Sequence, residues 1–239
     1  MTDSAEGRLL LFGGTGAIGG AIRSAFLGEG WSVVATGRTL PPGLAGTPDW
    51  VAFDPFALGA DASVLDAGGP FSAVCWAQGA NLNDSVYDVD SERHLELYKA
   101  NALFVVETLR LLLDRNLLLP ASRLCVVSSI WQDLARQNKL SYGMTKAALK
   151  GFVLSAAADL ARDGHLINAI LPGALDTPMT RKNLAPAQIA VLEGATRFNR
   201  LPALDDVANL ALFLCSRRNT GVTGQFINAD LGFSHVRIL

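Results

Sequence analysis

Seven short apolar runs alternate with helical stretches along this chain, and that alternation limits its fold more than any other feature. The runs lie at 9–12, 31–36, 50–53, 73–76, 124–128, 166–170 and 225–229. Most are nearly continuous in hydrophobicity, the pattern of strands covered on both faces. Helical periodicity fills the intervals at 18–29, about 92–116, 142–162, about 185–194 and 205–216. The pattern predicts an α/β fold: a single domain built on a doubly wound parallel sheet of about seven strands, with helices on both faces. No repeat, low-complexity tract or linker interrupts it, and the Pro- and Gly-rich stretch 39–49 reads as a surface loop. A chain of 239 residues is long enough to bury a full core in one such domain.

Charge and composition narrow the function. A net charge of -2 with sparse charged residues argues against a nucleic-acid footprint, which needs clustered Lys and Arg. The opening Met1 to Gly7 is polar and acidic and does not read as a signal peptide. No apolar run approaches the roughly twenty residues of a membrane span. Cys75, Cys125 and Cys215 are isolated and read as small buried hydrophobes in a reducing cytoplasm. His94, His165 and His235 are scattered without ligand spacing, so no metal site is expected.

The first strand runs into the first helix through Phe12-Gly-Gly-Thr-Gly-Ala-Ile-Gly19. Gly14, Gly16 and Gly19 satisfy G-x-G-x-x-G, and Gly13, Gly16 and Gly19 satisfy G-x-x-G-x-x-G. Glycines allow the tight turn and let a pyrophosphate approach free N–H groups at a helix N-terminus. Gly13, Thr15, Gly16, Ala17, Ile18 and Gly19 are the expected phosphate cradle. The second strand ends in Gly37-Arg-Thr39. It lacks the acidic residue that bonds the ribose hydroxyls of NAD, and Arg38, beside Thr39, offers a guanidinium suited to the 2′-phosphate of NADP. NADP(H) is therefore favoured, with NAD(H) as the alternative.

Tyr142 and Lys146 stand four apart in a helical stretch, one turn from each other on one face. A phenol, with an ordinary pKa of about 10, becomes an acid/base near neutrality when a cation stabilises its phenolate. Ser129, thirteen residues before the tyrosine, can hold a substrate oxygen. Ser128 reads as a strand-end residue.

Taken together these residues resemble the short-chain dehydrogenase/reductase family across essentially the whole chain. Tyr142-x-x-x-Lys146 with Ser129 matches its catalytic set, and Asn101 matches the helix asparagine that completes a tetrad and supports a water-linked proton path to Lys146. The resemblance implies that Pro172 and Gly173 flank the nicotinamide, Thr177 bonds its carboxamide, Asp54 and Ala77 lie on the adenosine side, and Lys146 also holds the nicotinamide ribose. It implies hydride transfer between cofactor and a ketone or secondary alcohol, with Tyr142 as general acid in reduction.

The chain also departs from the family pattern. Phe12 stands in place of the threonine of a Thr-Gly opening, and Ala17 replaces the middle glycine. Gly16 occupies a position often basic in NADP-preferring members. Trp76 and Gln78 are unusual after the fourth strand, and Asp230-Leu-Gly232 replaces Asp-Gly-Gly. Larger sugar-nucleotide epimerases need a substrate domain for which there is no room, and related enoyl reductases usually place six residues between tyrosine and lysine, where this chain has three.

For a small-molecule substrate, Trp131, Gln132, Asn81 and Asn83 are candidate pocket residues. Residues 178–200 are expected to form a mobile lid, made basic by Arg181, Lys182, Arg197 and Arg200, a charge pattern that fits an acidic or polyhydroxylated substrate or a solvated lid face. Greasy helices at 100–113 and 144–161 fit a deep core contact or a subunit interface; the family's tetramers favour a homo-oligomer, tetramer or dimer. The apolar tail 233–239 fits either a neighbouring subunit or the chain's own core. The rival class is a non-catalytic NADP(H)-binding sensor or scaffold that keeps the fold.

Overall fold

The structure is a computed structural model that describes residues 7–236, so residues 1–6 and the tail residues 237–239 lie outside the described part. Seven strands form one sheet: β1 (Arg8–Phe12), β2 (Ser32–Gly37), β3 (Trp50–Ala52), β4 (Phe71–Trp76), β5 (Leu118–Val127), β6 (Leu166–Pro172) and β7 (Phe226–Ala229). Their order is β3-β2-β1-β4-β5-β6-β7, and every neighbouring pair is parallel. All seven expected strands are present.

The helices are α1 (Ala17–Gly28), α2 (Ser91–Tyr98), α3 (Phe104–Asp114), α4 (Leu140–Leu160), α5 (Pro178–Asn183), α6 (Pro186–Gly194) and α7 (Leu204–Cys215). On one face of the sheet, Ile22 and Phe26 of α1 and Val207 and Leu214 of α7 pack with Leu9 and Leu11. On the other, Val105 and Leu112 of α3 and Leu149 and Val153 of α4 pack with Leu10, Phe12 and Val74. Successive residues of β1 therefore feed opposite cores, which is why its sequence is apolar at every position from Leu9 to Phe12 rather than at alternate ones.

Two elements differ from expectation. The stretch expected as one helix from 92 to 116 is α2 and α3 joined by a π-helical turn, Lys99–Leu103, which widens the backbone around Asn101. β5 starts at Leu118, six residues earlier than expected, through an irregular segment in which Leu118 pairs with Phe71 but Arg123 already pairs with Ala73. Pro120 sits in that bulged start, where the ladder tolerates a missing N–H.

The sequence-isolated cysteines meet in space. Cys75 and Cys125 are register partners on β4 and β5, and Cys215 of α7 packs in the same core cluster. All three are buried free thiols. Among the described residues no cluster could hold a metal ion, and no helix is long and apolar enough to cross a membrane.

Candidate active site

Strand order reverses at β1, whose neighbours β2 and β4 are reached by opposite crossovers. In open parallel sheets the crevice beyond the strand ends at such a point is where ligands bind. The glycine turn lies there. Gly13 adopts φ +80, and a Cβ on it would stand 2.5 Å from Gln78 N, so only glycine lets the turn after β1 lie against the segment after β4. A Cβ on Gly19 would meet Gly13 O at 2.2 Å, so α1 is packed directly on the turn. Gly16 caps α1 without a side-chain hydrogen bond, and the first helical turn carries no acidic residue. Thr15, Gly16 and Ala17 are exposed and Ile18 half-buried. The first N–H groups of α1 thus meet no side-chain competitor, and the cradle fits a pyrophosphate.

Around this turn the carboxyl ends of the other strands gather the remaining expected cofactor residues. Arg38 and Thr39 are exposed after β2. A Cβ on Gly37 would press on Thr15 Cγ2 at 2.8 Å, so this position stays small and carries no acid. Asp54 follows β3 and accepts from Phe56 N at 3.0 Å. Ala77 follows β4, its N–H donating to Phe12 O at 2.9 Å. Pro172 closes β6, and Gly173 packs so tightly on Asp230 that a Cβ would come within 2.9 Å. Thr177 caps α5, its Oγ1 accepting from Thr180 N at 3.1 Å. The side chains of Pro178, Met179 and Asn183 lie outside the described residues.

Ser129, Tyr142, Lys146 and Asn101 converge beside β5. Ser129 follows β5 and caps the short turn Ile130–Gln132, its Oγ accepting from Trp131 N at 3.3 Å. Its hydroxyl lies close enough to Tyr142 to favour the phenolate. Lys146, one turn along α4, is only 4% exposed; its Nζ donates to Val127 O at 3.1 Å and lies 5.7 Å from the Tyr142 ring centre. Asn101 accepts from Ala80 N at 2.7 Å and donates to Thr145 Oγ1 at 2.9 Å. Gly79 keeps open the space between the last two residues of the set. A Cβ there would stand 3.2 Å from Asn101 Oδ1 and 3.7 Å from Lys146 Nζ.

The electrostatics differ from the sequence expectation in one respect. Burial pushes the Tyr142 phenol above its ordinary value, opposed by the Ser129 hydrogen bond, so the lysine does not pull it down. Burial instead lowers Lys146 itself to about 8. The ammonium is held against Val127 O rather than at the phenol oxygen, and desolvation penalises both charged forms.

The N-terminal turn of α4, which carries Tyr142, is anchored by a network that no motif announces. Buried Asp84 accepts from Ser141 N at 3.0 Å and also receives the Ser141 hydroxyl. Leu140 N reaches Asp84 O at 3.2 Å, and His94 Nδ1 lies 2.8 Å from Ser141 Oγ. His165 accepts from Ser122 N at 2.9 Å, and His235 lies 3.4 Å from Asn228 Nδ2.

Among the pocket candidates, Trp131 lines a cavity beside the site. Gln132 and Asn81 do not line it. Gln132 is buried, with Oε1 accepting from Ser128 Oγ at 2.9 Å, because the turn after Ser129 rotates it inward. Asn81 and Asn83 instead hold Lys139, whose Nζ donates to them at 2.6 and 2.5 Å. The cavity's far wall comes from Leu192, Thr196 and Arg200 in the expected lid and from Phe233, residues without a motif. The basic lid is partly neutralised: Arg181 forms two bonds with Asp176 at 2.6 and 2.7 Å, and Arg200 pairs with Asp206 at 3.0 Å. Phe233 packs against the chain's own core.

A doubly wound sheet with a Ser–Tyr–Lys cluster at its carboxyl edge and a glycine turn at its switch point defines a class of α/β oxidoreductase. Residues 66–234 match a protein-family model described as "Enoyl-(Acyl carrier protein) reductase". The protein named "Uncharacterized oxidoreductase YmfI" of Bacillus subtilis is 27% identical over 175 residues, 73% of this chain and 72% of that protein. L-rhamnose 1-dehydrogenase (NADP(+)) of Thermoplasma acidophilum is 36% identical over 111 residues, 46% of this chain, and the match spans only 44% of that protein. The solved structure of a short chain dehydrogenase family protein from Francisella tularensis shares the fold, with a TM-score of 0.85 at 21% identity, over 96% of this chain and 99% of that one. The chain belongs to the short-chain dehydrogenase/reductase family.

Proposed function

We propose that this protein is an NADP(H)-favouring carbonyl reductase or alcohol dehydrogenase that interconverts a ketone and a secondary alcohol. The observation that carries the reading is the gathering of Ser129, Tyr142 and a buried Lys146 just beyond β5, at the carboxyl edge of the sheet that also holds the glycine turn. In reduction, Ser129 orients the carbonyl oxygen and steadies its developing charge, and Tyr142 delivers the proton. Lys146, with Asn101 across the gap that Gly79 leaves, replenishes that proton from solvent. The nicotinamide supplies or takes up the hydride when bound. Gly13, Thr15, Gly16, Ala17, Ile18 and Gly19 hold its pyrophosphate, Asp54 and Ala77 the adenosine side, and Pro172, Gly173 and Thr177 the nicotinamide end. The residues 178–200 close over the substrate as a lid.

Arg38 carries the cofactor preference: it is exposed and placed after β2, with Gly37 rather than an acid before it. The relative whose name includes NADP(+) points the same way. A lower KM for NADH than for NADPH overturns that assignment. The function is tested by following NADPH oxidation with a panel of ketones and aldehydes beside Tyr142→Phe. Losing the proton donor is expected to lower kcat/KM by about 10²–10⁴-fold with the fold intact. Unchanged activity in Tyr142→Phe sinks the mechanism. NADPH binding without turnover across the panel favours the sensor reading instead.

The description of the matching family model favours a second reading, enoyl-thioester reduction. The three residues between Tyr142 and Lys146 speak against it, and a crotonyl thioester in the same panel decides between the two.

A further inference from the structure

The cavity beside Ser129 is bounded by Ile130 and Trp131, which directly follow that serine, and by Gly173 and Ala174, which directly follow β6. Leu192, Leu201, Pro202 and Phe233 complete a largely apolar wall.

Two charged side chains border it, and each is already engaged within the protein. Arg200 donates to Asp206 Oδ2 at 3.0 Å and to Leu201 O at 3.1 Å. Asp230 accepts from Gly232 N and Ser234 N, both at 2.9 Å, and from Asn228 Nδ2 at 3.3 Å. An entering carboxylate finds its only cation paired and a second carboxylate nearby, an arrangement that disfavours it.

Thr196 is the exception. It lines the same cavity, is 7% exposed, and its buried Oγ1 has no hydrogen-bond partner among the described residues. Buried hydroxyls in folded proteins are nearly always paired, so one left open at a cavity wall marks a place for a ligand group.

We propose that the substrate is a neutral carbonyl compound with an apolar body, reduced at Tyr142 as above, and that it carries a hydroxyl bonded by Thr196. Thr196 is then the specificity determinant, selecting hydroxylated ketones over both plain and carboxylated ones.

The experiment uses the full chain with NADPH and five probes: 2-tetralone, its 5-, 6- and 7-hydroxy derivatives, and 6-carboxy-2-tetralone. Kinetics are measured for the native protein, Thr196→Val and Thr196→Ser, and binding of the same compounds by calorimetry with NADP⁺ present. At least one hydroxylated isomer is expected to exceed 2-tetralone in kcat/KM. Thr196→Val should lower that isomer's kcat/KM by about five- to tenfold, mainly through KM, and leave 2-tetralone within about twofold. Thr196→Ser, which keeps the hydroxyl, should retain the preference. The proposal is overturned if the carboxylated probe is best, if Thr196→Val depresses every probe equally, or if none of the probes binds. Thr196-dependent binding without turnover refutes the reductase reading and leaves the Thr196 assignment standing. Turnover of these ketones with no Thr196 dependence does the reverse.

Discussion

Lys146 is a cation placed where charge is unfavourable, and this fixes how the protein responds to pH. Its folded pKa, about 8, lies below the ordinary lysine value of 10.5. Below pH 8 the residue is charged in both folded and unfolded chains, and the folded state bears the desolvation cost. As pH rises through 8 toward 10.5 the folded chain releases the proton first, so this residue's contribution to stability increases. Lys146→Met is therefore expected to be more stable than the native protein at pH 7, by about 1–3 kcal/mol, although inactive. The gap should narrow between pH 8 and 10, as denaturant unfolding at several pH values will show. If Lys146 relays protons as proposed, the reduction rate should fall as pH rises past 8. A gap that is flat across this range refutes the assigned pKa.

At the scale of elements, two departures from the family pattern explain each other. Phe12 of β1 and Trp76 of β4 are register partners, and their rings stack at 5.9 Å and 14°. Phe104 meets Phe12 edge-on at 5.5 Å, and Trp76 Nε1 donates to Thr108 Oγ1 at 2.8 Å. An aromatic plug thus ties the two strands that flank the switch point to α3. A cycle of Phe12→Leu, Trp76→Leu and the double variant should give a coupling of about 1 kcal/mol in chemical denaturation. Additive losses would mean that the rings do not act as a unit.

The same elements show what was legible from sequence. Every strand was, because burial on both faces writes a continuous apolar run, as in Leu9–Leu11. The first part of β5 was not, since its bulge admits Pro120 and Ser122 where a regular strand would exclude them. The Tyr142–Lys146 helix and Ser129 were readable from spacing alone. Asp84, Ser141 and His94 were not, because three polar residues far apart in sequence carry no periodic signal. Thr196 and Phe233 were likewise hidden: a cavity wall is assembled from whatever the fold brings round, and Gln132, close to Ser129 in sequence, was turned away by a single tight turn.

For the whole molecule, α3 and α4 use one face for the core and leave Val106, Leu113, Met144 and Leu154 39–53% exposed on another. We propose that this surface joins copies of the chain, which accounts for apolar residues on more than one side of both helices. Replacing Met144 and Leu154 together by Glu should then convert an oligomer to monomers in sedimentation. A native chain that sediments as a monomer refutes the interface. Because Tyr142 and Lys146 lie on α4, docking there would also brace the helix that carries both.

The meeting of Cys75, Cys125 and Cys215 at the junction of β4, β5 and α7 makes the chain its own probe of integrity. Every thiol it possesses is sealed in one core, so an aromatic disulfide reagent has nothing to modify while the sheet is closed. The rate at which colour develops then measures how often that core opens, free of any surface background. A ligand that steadies the native state slows the reaction in proportion to its binding, so candidate substrates can be ranked before any of them is turned over.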